Sequence, residues 1–226
     1  MANGWLRIAR AGKGQQVADA RPVLLGTSNA HKLAELRAIL GDLPLTLRGL
    51  GEVAPLPDVA ETGATFAENA ILKATAYARA SGLLTLADDS GLEIDALGGE
   101  PGVYSARWAG VDTPYSERFR IILESMAQTP PQQRTARYRC VIAIAGPDRL
   151  LATAEGVLEG TIATEPHGAG GFGYDPIFYL RAYGKTVAEL PAAVKNRISH
   201  RALAAAQARQ QLLDIVRNDE SSPPSL

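Results

Sequence analysis

The stretch Pro22-Val-Leu-Leu-Gly-Thr-Ser-Asn-Ala-His-Lys-Leu-Ala-Glu-Leu-Arg-Ala-Ile-Leu-Gly41 settles the fold class. Its opening, Pro22 to Gly26, is a short apolar run that ends in small residues and reads as a buried strand. Leu33, Leu36, Ile39 and Leu40 then fall on one face of a helix that stops near Gly41. The alternation repeats downstream. Thr46–Leu50 reads as a second strand, and Glu52–Asp58, with Pro55 and Pro57, as a loop. Thr65-Phe-Ala-Glu68 has the form of a capping box, and the alanine-rich Asn69–Ala80 continues it as a helix ended near Gly82. Leu83–Ala87 is a short apolar strand that runs into Asp88-Asp89-Ser90. The glycine-rich Gly91–Gly110 reads mostly as loop. Pro114 suits the first turn of a third helix, with Tyr115, Phe119, Ile122, Leu123 and Met126 as its apolar face. Arg137–Gly146 and Leu151–Ala163 read as two longer strands paired through Gly146-Pro147-Asp148. Ser199 is placed to cap a last helix, Arg201–Val216. Strands alternating with helices make the fold α/β with a mixed sheet.

The composition narrows the function. Of 226 residues, 46% are apolar and 21% charged, so the chain can bury a core and is not globally disordered. Lys+Arg total 23 and Asp+Glu 24, a formal charge of −1. Coating nucleic acid normally takes a basic excess, so no nucleic-acid partner is expected, and an anionic ligand must be met by a local cluster. Cys140 is the only cysteine, which excludes an intrachain disulfide and a cysteine zinc cluster. No run approaches the ~18 apolar residues of a membrane helix, and the first twenty residues lack the apolar centre of a signal peptide. The cytoplasm is the default setting. Residues 1–21 are expected to be a flexible extension, with a transit peptide as the alternative, 22–216 one domain, and 217–226 a frayed tail.

Five segments carry candidate chemistry. Thr27-Ser28-Asn29-Ala30-His31-Lys32 joins a strand to a helix start, where free N–H groups, the dipole and Lys32 suit a phosphate; it also reads as a plain cap with a surface lysine. Glu61 sits in the loop before the Thr65 cap, where it has no local structural role and could hold a divalent cation. Asp88 and Asp89 stand side by side before Ser90-Gly91. In a strand they point to opposite faces, so one could bind Mg²⁺ or activate water while the other fixes the loop. A simple aspartate turn is the bland alternative. Gly168-Ala-Gly-Gly-Phe-Gly-Tyr-Asp175 lets backbone approach a ligand, and Phe172 and Tyr174 can stack on a planar base or turn into the core. Lys195, Arg197, His200 and Arg201 gather at a helix start, where an anion would relieve their conflict with the dipole, unless they form a solvated basic face.

The order of these motifs is more specific than any one of them. Thr-Ser-Asn-x-x-Lys at 27–32, Glu-Thr-Gly-x-Thr-Phe-x-Glu-Asn-Ala at 61–70 and Ala-Asp-Asp-Ser-Gly-Leu at 87–92 come first. Pro-Gly-Val-Tyr-Ser-Ala-Arg at 101–107, Gly-Gly-Phe-Gly-Tyr-Asp-Pro-Ile-Phe at 170–178 and Ser-His-Arg-Ala at 199–202 follow. Across residues 22–216 the series resembles the inosine triphosphate pyrophosphatase family, the Ham1-like or non-canonical purine NTP pyrophosphatases. Ser28 stands where a glycine is common there, and Trp108 where a tyrosine is.

The resemblance implies an elongated mixed sheet with flanking helices, two lobes around a central nucleotide cleft, and a homodimer. It implies Mg²⁺-dependent hydrolysis of ITP, dITP and XTP to the monophosphate and pyrophosphate, which cleanses the nucleotide pool. By motif position, Thr27, Ser28, Asn29, Ala30, His31 and Lys32 bind the triphosphate, and Glu61 and Asp89 are metal ligands. Asp89 is also the proton acceptor, and Ser90, Phe172, Gly173, Tyr174, Asp175, Lys195, His200 and Arg201 contact the nucleotide. One carboxylate serves poorly as both tight ligand and base, so Asp88 or Glu68 is expected to share the load with Asp89. Arg201, Lys195 or a backbone N–H would donate to the C6 oxygen of hypoxanthine or xanthine and mismatch the adenine amino group. Two rivals stand beside this reading: a pyrophosphatase for another base, such as a modified pyrimidine, and a nucleotide sensor that binds without hydrolysis.

Overall fold

The computed structural model describes residues 21–220. Seven strands form one mixed sheet in the order β2-β1-β3-β4-β5-β6-β7. The first are β1 (Pro22–Leu25), β2 (Thr46–Gly49) and β3 (Leu84–Ile94), with α1 (Ala30–Leu40) and α2 (Phe66–Ser81) as crossovers. β1 pairs parallel to both β2 and β3. After α3 (Tyr115–Ser125) the chain turns to antiparallel pairing through β4 (Thr135–Ala145), β5 (Leu150–Ile162), β6 (Phe178–Leu180) and β7 (Lys185–Thr186). α4 (Ala192–Ile198) and α5 (His200–Glu220) follow.

Strand periodicity distributes the core. Leu84 and Leu86 of β3, with Ile142 and Ile144 of β4, meet Leu36 and Leu40 of α1 and Ala204, Ala208 and Leu212 of α5. The alternate residues Ala87, Val141, Ala143 and Ala145 meet Phe66, Ala70, Ala74 and Ala78 of α2 on the other face. Small residues on both sides let α2 lie close. Gly156 does the same for α5, because a Cβ there would meet the backbone oxygen of His200 at 2.1 Å. Further along β3, Leu92 and Ile94 join a second apolar core with Ile122, Met126, Tyr138, Ile177 and Phe178. Between these cores the same strand face carries Asp88 and Ser90. This polar interruption separates two lobes.

Several expectations need correction. Asp88-Asp89-Ser90 does not end a strand: β3 continues to Ile94, pairing with β4 from Thr85↔Ala145 to Ile94↔Ala136. The long partner strand holds these weak strand formers, and the expected loop at 91–110 loses its first four residues to β3. Pro114 immediately precedes α3 instead of lying in its first turn. The Thr65 cap forms, accepting from the Glu68 N–H at 3.1 Å, but Glu68 reaches back to the Ala64 N–H and not to Thr65. Lys195 and Arg197 lie in α4; Ser199 then breaks the chain and caps α5 through the Ala202 N–H. α5 runs to Glu220, past the expected boundary at 216, so residues 217–220 are helical. Of the extension expected at 1–21 and the tail expected at 217–226, residues 1–20 and 221–226 lie outside the described residues.

Candidate active site

β1 ends at Leu25, and beyond the Gly26 N–H to Leu86 C=O bond (2.8 Å) β3 has no strand neighbour on that side among the described residues. Strand order reverses at β1, with α1 and α2 leaving to opposite faces, so a crevice opens at its carboxyl end. A cleft of about 600 Å³ occupies it. The turn into α1 is fixed by Asn29, whose Oδ1 accepts from the N–H groups of His31 and Lys32 at 3.0 and 3.2 Å. This cap uses two of the helix donors expected to be free, leaving Lys32 as the main cationic contribution of the segment.

On the α1 and α5 face, Asp88 is fully buried. Lys32 Nζ lies 3.2 Å from its Oδ2, and Arg201 Nε and Nη2 donate to the same oxygen at 3.2 Å. Burial alone would raise the Asp88 pKa, but Lys32, Arg201 and Lys73 outweigh it and hold the carboxyl far below the usual range. Arg201 Nη2 also donates to Ser90 Oγ at 2.8 Å, and Nη1 to Glu35. Lys195 Nζ bridges Asp175 (2.5 Å) and Glu35 (2.9 Å). Asp175 further accepts from Tyr138 Oη at 3.2 Å and the Phe172 N–H at 2.9 Å. Burial still pushes the Asp175 carboxyl upward, with Lys195 opposing it.

On the α2 face, Asp89 Oδ2 accepts from Asn69 Nδ2 at 3.0 Å, and Oδ1 from the Ser90 N–H at 2.9 Å. Lys73 Nζ stands 3.8 Å from Asp89 and 2.5 Å from Glu61 Oε1. Arg107 Nη1 reaches Glu61 Oε2 at 3.2 Å. Burial pushes the Asp89 carboxyl upward despite the two lysines. Burial also works upward on Glu61, but Lys73 overcomes it and holds that carboxyl below its ordinary value. The adjacent aspartates thus serve different faces: Asp88 is countercharged behind the wall, and Asp89 faces the cleft.

At the far end Phe172 stacks on His31 with ring centres 5.0 Å apart and planes 11° apart, and Lys195 Nζ lies 4.4 Å from the same ring. Tyr174 lines the cleft but is buried, its hydroxyl donating to Ser105 C=O at 2.9 Å. His200 stacks on Tyr138 at 4.7 Å, and burial, with Arg201 and Lys195 beside it, holds its pKa well below the ordinary value.

Thr27, Ser28, Asn29, Lys32, Glu61, Asp89, Ser90, Phe172, Gly173, Tyr174, Asp175, Lys195, His200 and Arg201 all line this one cleft. Ala30 does not, and His31 faces a neighbouring hollow beside Phe172. Glu68 is tied to Ala64 away from the cleft, so it is not placed to share the work of Asp89. Four contributors were assigned no role from the sequence: Glu35 and Lys73 lie outside the motifs, and Asn69 and Arg107 lie within the motifs at 61–70 and 101–107 without a function being read from them. The first three lie on helices, where a lone polar residue looks like part of a solvated face. The available signal was spacing: Asn69 and Lys73 are one turn apart, as are Lys32 and Glu35. Among the described residues no group of three or more metal-type side chains gathers. Glu61 and Asp89 instead bracket a single ammonium, Lys73. Two hard oxygen donors around one positive charge fit Mg²⁺, which keeps water and phosphate oxygens for its remaining positions.

Comparison with known proteins gives a consistent picture. The family model for the Ham1 family matches residues 23–211. The dITP/XTP pyrophosphatase of Geobacillus kaustophilus is 46% identical over 196 residues, covering 87% of this chain and 96% of that protein. Its namesake from Streptomyces coelicolor is 49% identical over 181 residues, covering 79% and 90%. Among solved structures, a HAM1 protein from Coxiella burnetii superposes with a TM-score of 0.78 at 43% identity, covering 86% of this chain and 99% of that one. The Staphylococcus aureus Ham1 protein gives 0.77 at 39% identity, covering 86% and 100%.

Proposed function

This chain belongs to the Ham1 family, and on that premise we propose that it is a nucleoside-triphosphate pyrophosphatase that hydrolyses ITP, dITP and XTP to the monophosphate and pyrophosphate with Mg²⁺. One observation carries the reading: Glu61 and Asp89 flank Lys73 in the cleft that also holds Phe172 beneath the Lys195 ammonium. A triphosphate brings about four negative charges that repel an attacking oxygen. Lys32 and Lys73 oppose them from the cleft wall. Glu61 and Asp89 would hold Mg²⁺, which supplies further neutralisation of the phosphates and the leaving group.

Asp89 takes the proton of the attacking water. Because one carboxylate serves poorly as both tight ligand and base, Glu61 would be the tighter ligand and Asp89 would hold the water, and general-base help is typically worth ~10²–10⁴-fold. Phe172, already stacked on His31 and covered by the Lys195 ammonium, would stack the base in exchange for one of these neighbours. Arg201 discriminates through the donor it keeps. Nε and Nη2 are engaged by Asp88 and Ser90, while Nη1, engaged once by Glu35, retains a hydrogen for a C6 oxygen. Adenine presents an amino group there and leaves that donor unmatched. The same reading carries a homodimer in the cytoplasm, which light scattering and cell fractionation check. No helix of the described residues is long and apolar enough to cross a membrane.

The test is pyrophosphate release from ITP, dITP, XTP, ATP and GTP, with and without Mg²⁺, beside Asp89→Asn. Mg²⁺-dependent release from the first three, reduced ~10²-fold or more in the variant, is the expected result. Orthophosphate as product, or equal turnover of ATP, overturns it.

A further inference from the structure

Asn69 is fully buried and does not line the cleft, yet both of its amide atoms are committed. Oδ1 accepts from the Gly63 N–H at 2.7 Å, and Nδ2 donates to Asp89 Oδ2 at 3.0 Å. The partners force this orientation. A flipped amide would set donor against donor at Gly63 and oxygen against carboxylate at Asp89. Gly63 lies two residues after Glu61, and a Cβ there would meet Asn69 Oδ1 at 2.8 Å and Glu68 Cβ at 2.6 Å. The loop that carries Glu61 is therefore pressed onto the amide.

Lys73, one turn further along α2, repeats the bridge with charge, binding Glu61 at 2.5 Å and standing 3.8 Å from Asp89. With the Ser90 N–H on Oδ1, the Asn69 donor on Oδ2 leaves the Asp89 carboxylate little freedom to rotate. We infer that Asn69 is a positioning residue for hydrolysis, one that sets the rotation of the Asp89 carboxylate and its spacing from the Glu61 loop. The inference rests on the function proposed above. Asn69 does not line the cleft and acts through Asp89.

A double-mutant cycle tests it. Kinetics with ITP are measured for the parent protein, Asn69→Ala, Asp89→Asn and the double variant. Asn69→Ala is expected to lower kcat by about 30- to 100-fold with KM for ITP within about threefold, because the cleft lining is intact. In the Asp89→Asn background the same change is expected to cost no more than about twofold. Equal, additive losses in both backgrounds, or a rise in KM at unchanged kcat, would overturn the inference and leave the proposed function standing. A parent protein that turns over none of the triphosphates sinks the function itself and the inference with it. Should Asn69→Ala fail to fold, Asn69→Asp replaces it in the cycle. It keeps the acceptor for Gly63 but sets oxygen against Asp89, and its loss should shrink when residue 89 is asparagine, which can donate back. A loss from Asn69→Asp of the same size in both backgrounds is the contrary result.

Discussion

At the scale of single residues, the site is a set of charges each given a fixed partner. His200 is the exception. It is buried with no partner on Nδ1 among the described residues, and burial, then Arg201 and Lys195, keep it neutral in the folded protein. Its folded pKa is depressed, so its stabilisation is complete above the unfolded value of about 6.5 and is lost as pH falls below that. Stability in urea should decline between about pH 6.5 and pH 5 with a slope of up to ~1.4 kcal/mol per unit, and His200→Phe should remove that slope. Asp88 is also depressed, so its contribution holds above about pH 4 and is lost only below, outside the His200 window. Lys32, Asp89 and Arg201 were legible in the sequence because they sit in ordered motifs at strand and helix ends. Glu35 and Lys73 were not, because which way a helical side chain faces is decided by the sheet it lands on, and Asn69, though inside the motif at 61–70, carried no readable role for the same reason.

At the scale of elements, the segment between β3 and α3 is gathered around one buried side chain. Arg118 donates Nη1 to the carbonyls of Ser105 and Ala106 and Nη2 to Gly110, at 2.9 to 3.1 Å, and sits 4.9 Å from the Tyr115 ring centre. That clamp holds Arg107 over Glu61. Arg118→Met removes these bonds, leaving Ser105 C=O to the Tyr174 hydroxyl and Gly110 C=O to the Thr113 N–H, and should cost on the order of 2 kcal/mol in chemical denaturation, with amides 105–111 losing hydrogen-exchange protection first. A loss below about 1 kcal/mol would mean that the loop holds itself. The sequence pattern yielded β1, β2, β4, β5 and the four long helices because their apolar spacing is regular. β6 and β7 were missed, being three and two residues long. The true length of β3 was hidden because Asp88, Asp89 and Gly91 disfavour a strand until β4 pairs with them.

At the scale of the whole molecule, the cleft exists because one strand serves two cores and its middle belongs to neither. Asp88 lies in that middle, and while Lys32 precedes it in the chain, Arg201 follows it by 113 residues. A chain cut after Pro191 buries the Asp88 charge without Arg201 and also lacks the α5 side of the first core. Such a fragment should show no cooperative urea transition by far-UV circular dichroism; a two-state transition would refute this. The consequence reaches into biosynthesis. Translation runs from the amino end, so while the earlier strands emerge from the ribosome the charge on β3 still awaits its counter-ion. The nascent chain stays unfinished as a fold until the helix bearing Arg201 is made, and a stalled or truncated product has no competent cleft.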